Sequence, residues 1–352
     1  MQKTIFVIDD NDTNLLAAEE ALDEQYRVMT MPSAVKMFAL LEKVTPDLIL
    51  LDIEMPEMDG FEALRRLKAN NAHAGIPVIF LTGTTDTSIE ARGFQMGAVD
   101  FITKPFSAPV LLNRLKSHLN IDELIRERTT QIDRLKNSIV FVLADMVESR
   151  DRGTGGHVER TAAYIEILIN AMLTQHGVYA DELRGINLES LVSSARLHDV
   201  GKIAVPDAIL SKPGKLTKEE FEIMKKHCAE GERIIDKIVL RTGNVEFLQN
   251  AKLFAGYHHE RWDGTGYPYA LEGTKIPLQG RIMAIIDVYD ALISERPYKK
   301  PFTEEEAVKI IMDNASKHFD PFIADVFFKV SGNFGEVRRD CVNKAGINRV
   351  RQ

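Results

Sequence analysis

His157, His198, His227, His258 and His259 are five of the nine histidines, and two aspartates accompany them: Asp199 directly follows His198, and Asp287 closes an apolar run. Imidazole and carboxylate together form a ligand set for Fe, Mn, Zn or Co rather than Mg. Seven side chains exceed what one tetrahedral or octahedral ion takes from protein, whereas two ions sharing Asp199 would use them all. A hydroxide held between two cations has its pKa pulled far below that of bulk water, and the pair can clamp the attacking and leaving oxygens of a displacement at phosphorus. Taken singly, each histidine is as readily a hydrogen-bonded core residue. The combination of adjacent His-Asp, adjacent His-His and a late aspartate is what points to metal.

Cations gather around the same residues. Lys202 lies four positions after His198 and three after Asp199, so a helix running through them would carry its ammonium on the ligand face. Arg296 and Lys299 follow Asp287, and Lys212 and Lys215 read as solvated surface charges. Positive charge near a metal pair in an acidic protein suits an anionic substrate.

A second constellation occupies the first 120 residues. Short apolar runs alternate there with amphipathic stretches, the pattern of a parallel sheet covered by helices on both faces. Strands are expected at Thr4–Asp9, Tyr26–Met31, Leu48–Asp52, Val78–Thr82 and Phe101–Thr103. Ligands of such sheets sit at the carboxyl ends of the strands. The polar residues at those ends are Asp9, Asp10, Asp52, Thr82 and Lys104. Three gathered carboxylates need a hard cation such as Mg²⁺. Asp52, which alone ends the central apolar strand, can then accept a phosphoryl group while the ion and Lys104 neutralise its oxygens. Asp10 or Asp12 alone could be read as a helix N-cap.

Strand patterns vanish after Met146, and helices are expected at Val158–Gln175, Leu188–Ile203, Lys218–Lys237, Val245–Ala255, Ile282–Ile293 and Glu304–Asn314. Between the two halves runs a stretch without a strong breaker. Leu111, Arg114, His118, Ile121, Ile125, Arg128, Ile132, Leu135, Ile139, Val142 and Met146 recur in it at alternating spacings of three and four. This is a heptad seam. It reads either as an amphipathic helix packed on its own domain or, preferred because it crosses the domain boundary, as a parallel two-stranded helix in a homodimer.

At 352 residues the chain has room for about two domains. With 45% hydrophobic and 27% charged residues it is globular, and a net charge of -8 disfavours a general nucleic-acid polymer binder. Cys228 and Cys341 are too few for a disulfide framework or a thiolate metal site, no signal peptide opens the chain, and no apolar run reaches membrane length. A cytoplasmic protein without membrane insertion is expected.

Residues 1–120 resemble a response-regulator receiver domain, through Asp9-Asp10, Asp52 followed by Met55-Pro56 and Asp59-Gly60, Thr82, and Lys104-Pro105. The resemblance implies a flavodoxin-like doubly wound fold, an acyl phosphate on Asp52 supplied by a sensor histidine kinase, Mg²⁺ held by Asp9, Asp10 and Asp52, and a switch involving Thr82, Lys104 and an aromatic residue. Phe101 stands where that aromatic belongs, without the hydroxyl of the more usual tyrosine.

Residues 138–330 resemble the HD-GYP branch of the HD phosphohydrolases. The resemblance rests on Thr154-Gly155-Gly156-His157-Val158-Glu159-Arg160, His198-Asp199-Val200-Gly201-Lys202, His227, the run from His258 to Pro268, Asp287-Val288-Tyr289-Asp290-Ala291-Leu292, and Ser294 to Lys299. It implies an all-α domain that opens cyclic di-GMP to pGpG and in some members proceeds to GMP. His157, His198, Asp199 and Asp287 would hold one metal, with Asp199 bridging to a second held by His227, His258 and His259. Fe or Mn is the expected identity, and Asp199 and Lys202 are the expected catalytic pair. Lys202, Arg296 and Lys299 match positions that engage the nucleotide. Gly266-Tyr267-Pro268 is the signature loop, linked to contact with a diguanylate cyclase. Members with a third metal carry a glutamate where this chain has Gly153, so two metals are expected. The domains are thus expected at 1–120, a helical linker at 121–137, the phosphohydrolase at 138–330, and a basic, frayed tail at 331–352. The alternative is a catalytically weak cyclic-dinucleotide sensor or scaffold, or a hydrolase of another cyclic dinucleotide.

Overall fold

The computed structural model describes residues 2–84, 86–151, 156–174, 177–294 and 300–338. It divides into two compact units, Met1–Asp133 and Arg134–Gln352.

The first unit alternates strand and helix: β1 (Thr4–Ile8), α1 (Asp12–Leu22), β2 (Arg27–Met31), α2 (Ala34–Leu41), β3 (Leu48–Asp52), α3 (Gly60–Ala69), β4 (Val78–Thr82), α4 (Thr87–Gln95) and β5 (Asp100–Thr103). All strand pairs are parallel, in the order β2-β1-β3-β4-β5. Both faces are covered, so β1, β3 and β4 are buried from end to end and read as continuous apolar runs. Alternate residues serve opposite cores: Phe6, Ile8, Ile49, Leu51 and Phe80 pack toward α2 and α3. Ile5, Val7, Leu48, Leu50 and Ile79 pack toward α1 and the leucines of the next helix.

That helix, α5, runs unbroken from Ala108 to Glu148. Leu111, Leu115 and Leu119 are buried in the first unit, while Val140, Ala144 and Val147 are buried in the second. The heptad seam is therefore not uniform. Leu111 is core, and Arg114 and His118 turn onto Asp100 at 2.6 and 3.1 Å, whereas Ile121, Ile125, Ile132, Leu135, Ile139, Val142 and Met146 are all at least half exposed.

Beyond α5 the fold is helical: α6 (His157–Thr174), α7 (Ala180–Arg184), α8 (Leu188–Ala195), α9 (Asp207–Leu210), α10 (Lys218–Lys225), α11 (His227–Thr242), α12 (Glu246–Tyr257), α13 (Leu278–Ile293), α14 (Glu304–Asp313) and α15 (Pro321–Val330). Helix α13 is buried nearly all round, and three of its buried polar residues are paired: Gln279 with Asn250, Arg281 with Asp320, Asp290 with Arg160. No helix among the described residues is long and apolar enough to cross a membrane.

Three elements differ from the sequence expectation. The helix expected over Leu188–Ile203 stops at Ala195, and a 3-10 turn over Val200–Ala204 follows, so His198 and Asp199 sit in a turn. The helix expected over Lys218–Lys237 is two helices that meet at Lys226, the first opened by a capping box between Thr217 and Glu220. The chain does not fray at Ser331: Phe334 is fully buried against Tyr164, Tyr289 and Phe327. Apolar periodicity cannot reveal either break, because the apolar face continues across a change of helix axis.

Replacing Phe334 with Ala removes an aromatic ring from the centre of this cluster. A loss of about 3–5 kcal/mol in unfolding free energy is expected by denaturant titration; a change below 1 kcal/mol would return Phe334 to the tail.

Candidate metal centre

Helix ends deliver all the candidate ligands but Asp287. His157 is the first residue of α6 and His227 the first of α11; His198 and Asp199 leave the end of α8; His258 and His259 follow α12; Asp287 lies on α13. Gly201 makes the convergence possible, since a Cβ there would stand 1.9 Å from the carbonyl oxygen of His227. The turn carrying Asp199 can then press directly on the start of α11. His157, His198 and Asp287 bring donor atoms within 4.8 Å of one another, as do His227, His258 and His259 with Cys228.

The outer nitrogens of the imidazoles are committed. Nδ1 lies 3.0 Å from the Ala195 carbonyl in His198, 2.7 Å from the Met224 carbonyl in His227 and 3.0 Å from the Phe254 carbonyl in His258. A carbonyl oxygen only accepts, so Nδ1 carries the proton in these three rings and Nε2 presents a lone pair when the ring is neutral. Those Nε2 atoms converge, at 3.4 Å for His157 and His198 and 3.3 Å for His227 and His258. Burial lowers the pKa of His258 to about 3 and pushes His227 and His259 down as well, so these rings are neutral and their lone pairs face each other.

Asp199 stands between the two groups. Its Oδ2 lies 3.4 Å from His198 Nε2, while its Oδ1 lies 3.5 and 3.7 Å from the Nε2 atoms of His227 and His258. Oδ1 is shut off from solvent and accepts no hydrogen bond. Metal–ligand bonds of about 2.0–2.2 Å set neighbouring donors roughly 3–3.5 Å apart around one ion. The spacings, the inward lone pairs and the donorless carboxylate oxygen therefore fit divalent cations, one on each side of Asp199.

The sequence reading gave no role to the residues that orient this set. Asp290 accepts from His157 Nδ1 at 2.8 Å and is clasped by Arg160 through Nε at 2.7 Å and Nη2 at 2.9 Å. Burial opposes the charge on Asp290, but Arg160 and His157 hold its pKa at about 2. Burial likewise opposes a charged His157, yet Asp290, Asp287 and Glu148 raise it to about 9, so a cation must displace a proton there. The spacing of Asp287 and Asp290, one helical turn apart, was the available signal. Glu260, also buried, accepts from the backbone amides of Tyr269 at 2.7 Å and Leu271 at 3.0 Å and so anchors the loop after the His-His pair. In that loop a Cβ on Gly266 would lie 2.4 Å from the Arg261 nitrogen, and the Tyr267 ring packs 4.8 Å from that of His259, ahead of a cis bond to Pro268. Cys228 has its Sγ 3.6 Å from His227 Nε2, with burial and nearby carboxylates pushing the thiol pKa upward.

A cavity of about 670 Å³ opens over the ligands, lined by Asp199, Lys202 and Tyr267 on its polar side and by Leu210, Leu216 and Leu292 among its apolar walls. Lys202 lies on the 3-10 turn rather than on a helix face, and its Nζ still reaches Asp199 at 2.8 Å and Asp151 at 2.9 Å. Burial opposes its charge, but the two carboxylates hold it as ammonium. Arg296, Lys299 and Gly153 lie outside the described residues.

In the first unit the strand ends bring Asp9, Asp10 and Asp52 together. Lys104 reaches Asp9 at 3.1 Å and Asp52 at 2.7 Å. Burial, and after it the neighbouring Asp9, outweigh Lys104 and raise the pKa of Asp52, the signature of a carboxylate short of positive charge. The Thr82 hydroxyl donates to the Thr84 carbonyl at 3.2 Å, and Phe101 is buried between Phe80 and Phe94.

Residues 142–323 match the model of the HD domain, and residues 5–116 that of the response regulator receiver domain. The chain is a response regulator of the HD-domain family. HD domains are metal-dependent hydrolases and bind divalent cations, and a receiver takes its phosphoryl group from a donor such as a histidine kinase. Among similar proteins is a "Probable cyclic di-GMP phosphodiesterase" of Vibrio cholerae, 39% identical over 351 residues, with 96% of this chain and 79% of that one covered. The cyclic di-GMP phosphodiesterase response regulator RpfG of Xanthomonas campestris is 33% identical over 342 residues (92% and 87% covered). A cyclic di-GMP phosphodiesterase of Thermotoga maritima is 32% identical over 358 residues (96% and 92%).

Asp290→Asn keeps the size of the side chain but loses the charge that fixes His157. A weakening of metal affinity by about 10- to 100-fold is expected, read by titration of metal into the stripped protein. Unchanged affinity would make Asp290 a packing residue.

Proposed function

We propose that this chain hydrolyses cyclic di-GMP to pGpG at its histidine-aspartate centre, under control of phosphorylation at Asp52. The single observation that carries the reading is Asp199, whose two oxygens are divided between two sets of imidazole nitrogens beside a cavity large enough for a dinucleotide. His157, His198, Asp199 and Asp287 would hold one cation, and Asp199, His227, His258 and His259 a second. Fe or Mn suits this nitrogen-rich set. When bound, such a pair supplies Lewis acidity and a nucleophile at neutral pH.

The protein's own groups do the rest. Asp199 fixes the separation of the two halves. The Lys202 ammonium is placed to take an anionic phosphate oxygen as charge builds there. Arg296 and Lys299 are assigned to the phosphates and guanine on sequence grounds. The apolar walls and Tyr267 offer faces for a purine and exclude water from the scissile bond.

In the receiver, Asp9, Asp10 and Asp52 would hold Mg²⁺, Asp52 would take a phosphoryl group from a sensor histidine kinase, and Thr82, Phe101 and Lys104 would convey the change. The domains are assigned as 1–120, a linker at 121–137 and 138–330, with the helical core carrying on through Phe334. The exposed stripe from Ile121 to Met146 supports a parallel homodimer through α5, since a solitary helix gains nothing from apolar residues repeated along its water-facing side. The loop at Gly266–Pro268 is a contact site for a diguanylate cyclase, and the compartment is the cytoplasm.

The test is turnover of cyclic di-GMP by the full chain with Fe²⁺ or Mn²⁺ under anaerobic conditions, beside cyclic GMP-AMP. Wild type is expected to release pGpG and the His198→Ala, Asp199→Ala double variant none; activity in the double variant would remove the centre from the mechanism. Acyl-phosphate treatment is expected to change the rate of wild type and not of Asp52→Asn, and an unchanged wild-type rate would defeat the regulatory half.

A further inference from the structure

The last turn of α5 and the residues just after it grip two different parts of the centre. Arg150 spreads its guanidinium over the end of the 3-10 turn: Nη1 donates to the carbonyls of Lys202 at 3.3 Å and Ile203 at 3.1 Å, and Nη2 to that of Val205 at 3.1 Å. Helical turns leave their final carbonyls short of internal partners, and one planar fork here reaches those of Ile203 and Val205 and adds a second donor to that of Lys202, which already accepts from the Val205 amide. Nη2 also reaches Asp207 at 2.7 Å, and the Arg150 carbonyl in return accepts from Ser211 Oγ at 2.9 Å. One residue on, Asp151 holds Lys202 Nζ at 2.9 Å, opposite the 2.8 Å contact from Asp199. One turn back, Glu148 accepts from the backbone amides of His157 and Val158, both at 3.2 Å, and thereby caps the start of α6.

Three side chains within four residues thus set Lys202 by both backbone and ammonium, and His157 by its backbone. None of the three is needed to hold a cation. We infer that Glu148, Arg150 and Asp151 form a positioning element that sets Lys202 and the His157 end of the centre for catalysis. Asp151 and Asp199 share the Lys202 ammonium from two sides and so fix it in the wall of the cavity. Because this element is continuous with α5, a shift of the helix is felt first as a displacement of Lys202 and His157. The inference rests on the phosphodiesterase reading, and it names the residues through which that activity is set.

The experiment compares full-length wild type with Arg150→Ala, Arg150→Lys, Asp151→Asn and Asp207→Ala. Each is assayed for kcat and KM on cyclic di-GMP and on bis(4-nitrophenyl) phosphate, and for bound Mn²⁺. Arg150→Ala and Asp151→Asn are expected to lower kcat/KM on both substrates by about 10- to 100-fold with metal content unchanged. Arg150→Lys should recover little, because a single ammonium cannot reach three carbonyls. Asp207→Ala should lower kcat/KM less than Arg150→Ala does, since it removes one exposed anchor of the guanidinium and leaves the three carbonyls within its reach. Wild-type kinetics in Arg150→Ala or Asp151→Asn would overturn the inference, as would loss of metal in step with activity, which marks a merely structural role. If Arg150→Ala does not fold, Asp151→Asn, which nearly preserves shape, carries the test alone. Wild type that cleaves neither substrate would instead sink the phosphodiesterase reading.

Discussion

Repulsion between lone pairs governs the helical unit. Backbone carbonyls at Ala195, Met224 and Phe254 hold the protons of His198, His227 and His258 on the outer nitrogens, so the inner ones have only lone pairs to offer one another. The Asp199 carboxylate adds negative charge to the same few ångströms, with one oxygen deprived of any donor. The Lys202 ammonium beside Asp199 and the cationic His157 beside His198 relieve part of this, and divalent cations would relieve the rest. The helix ends, the glycine at 201 and the Asp290–Arg160 clasp are the means by which the fold keeps the groups in that unfavourable proximity until metal makes it favourable.

Much of this was open to inspection in the sequence. Strands buried on both sides read as unbroken apolar runs, so Leu48–Asp52 and Val78–Thr82 were placed to the residue. The other three strands differ by one residue at one end, β1 stopping at Ile8, β2 starting at Arg27 and β5 starting at Asp100. The seven candidate ligands were legible because adjacent His-Asp and His-His are rare, and the structure brings the seven side chains together. What escaped was of another kind. Asp290, Glu260 and Arg150 lie in or beside strings that were noticed, but their work depends on partners 130, 9 and 52 residues away, which no local pattern displays. The break after Ala195 escaped because helical periodicity carries no information about where the axis turns.

The receiver poses the same electrostatic problem on a smaller scale. Asp9 and Asp52 are buried together with one lysine, Lys104, and burial raises Asp52 in spite of it. Added positive charge is what would relieve such a pocket. Both units therefore share a design in which the fold crowds anions or lone pairs together where positive charge would be favourable. The long helix that buries leucines at one end and ends in Glu148 at the other gives each unit part of its core.

The central claim is that two cations flank Asp199. Crystals grown from anaerobically prepared, Mn²⁺-loaded protein and measured at the manganese absorption edge address it directly. Two anomalous peaks about 3.5–4 Å apart, one on each side of the Asp199 carboxylate, are expected. A single peak, or density in which the imidazoles pair with one another and exclude any ion, would contradict it.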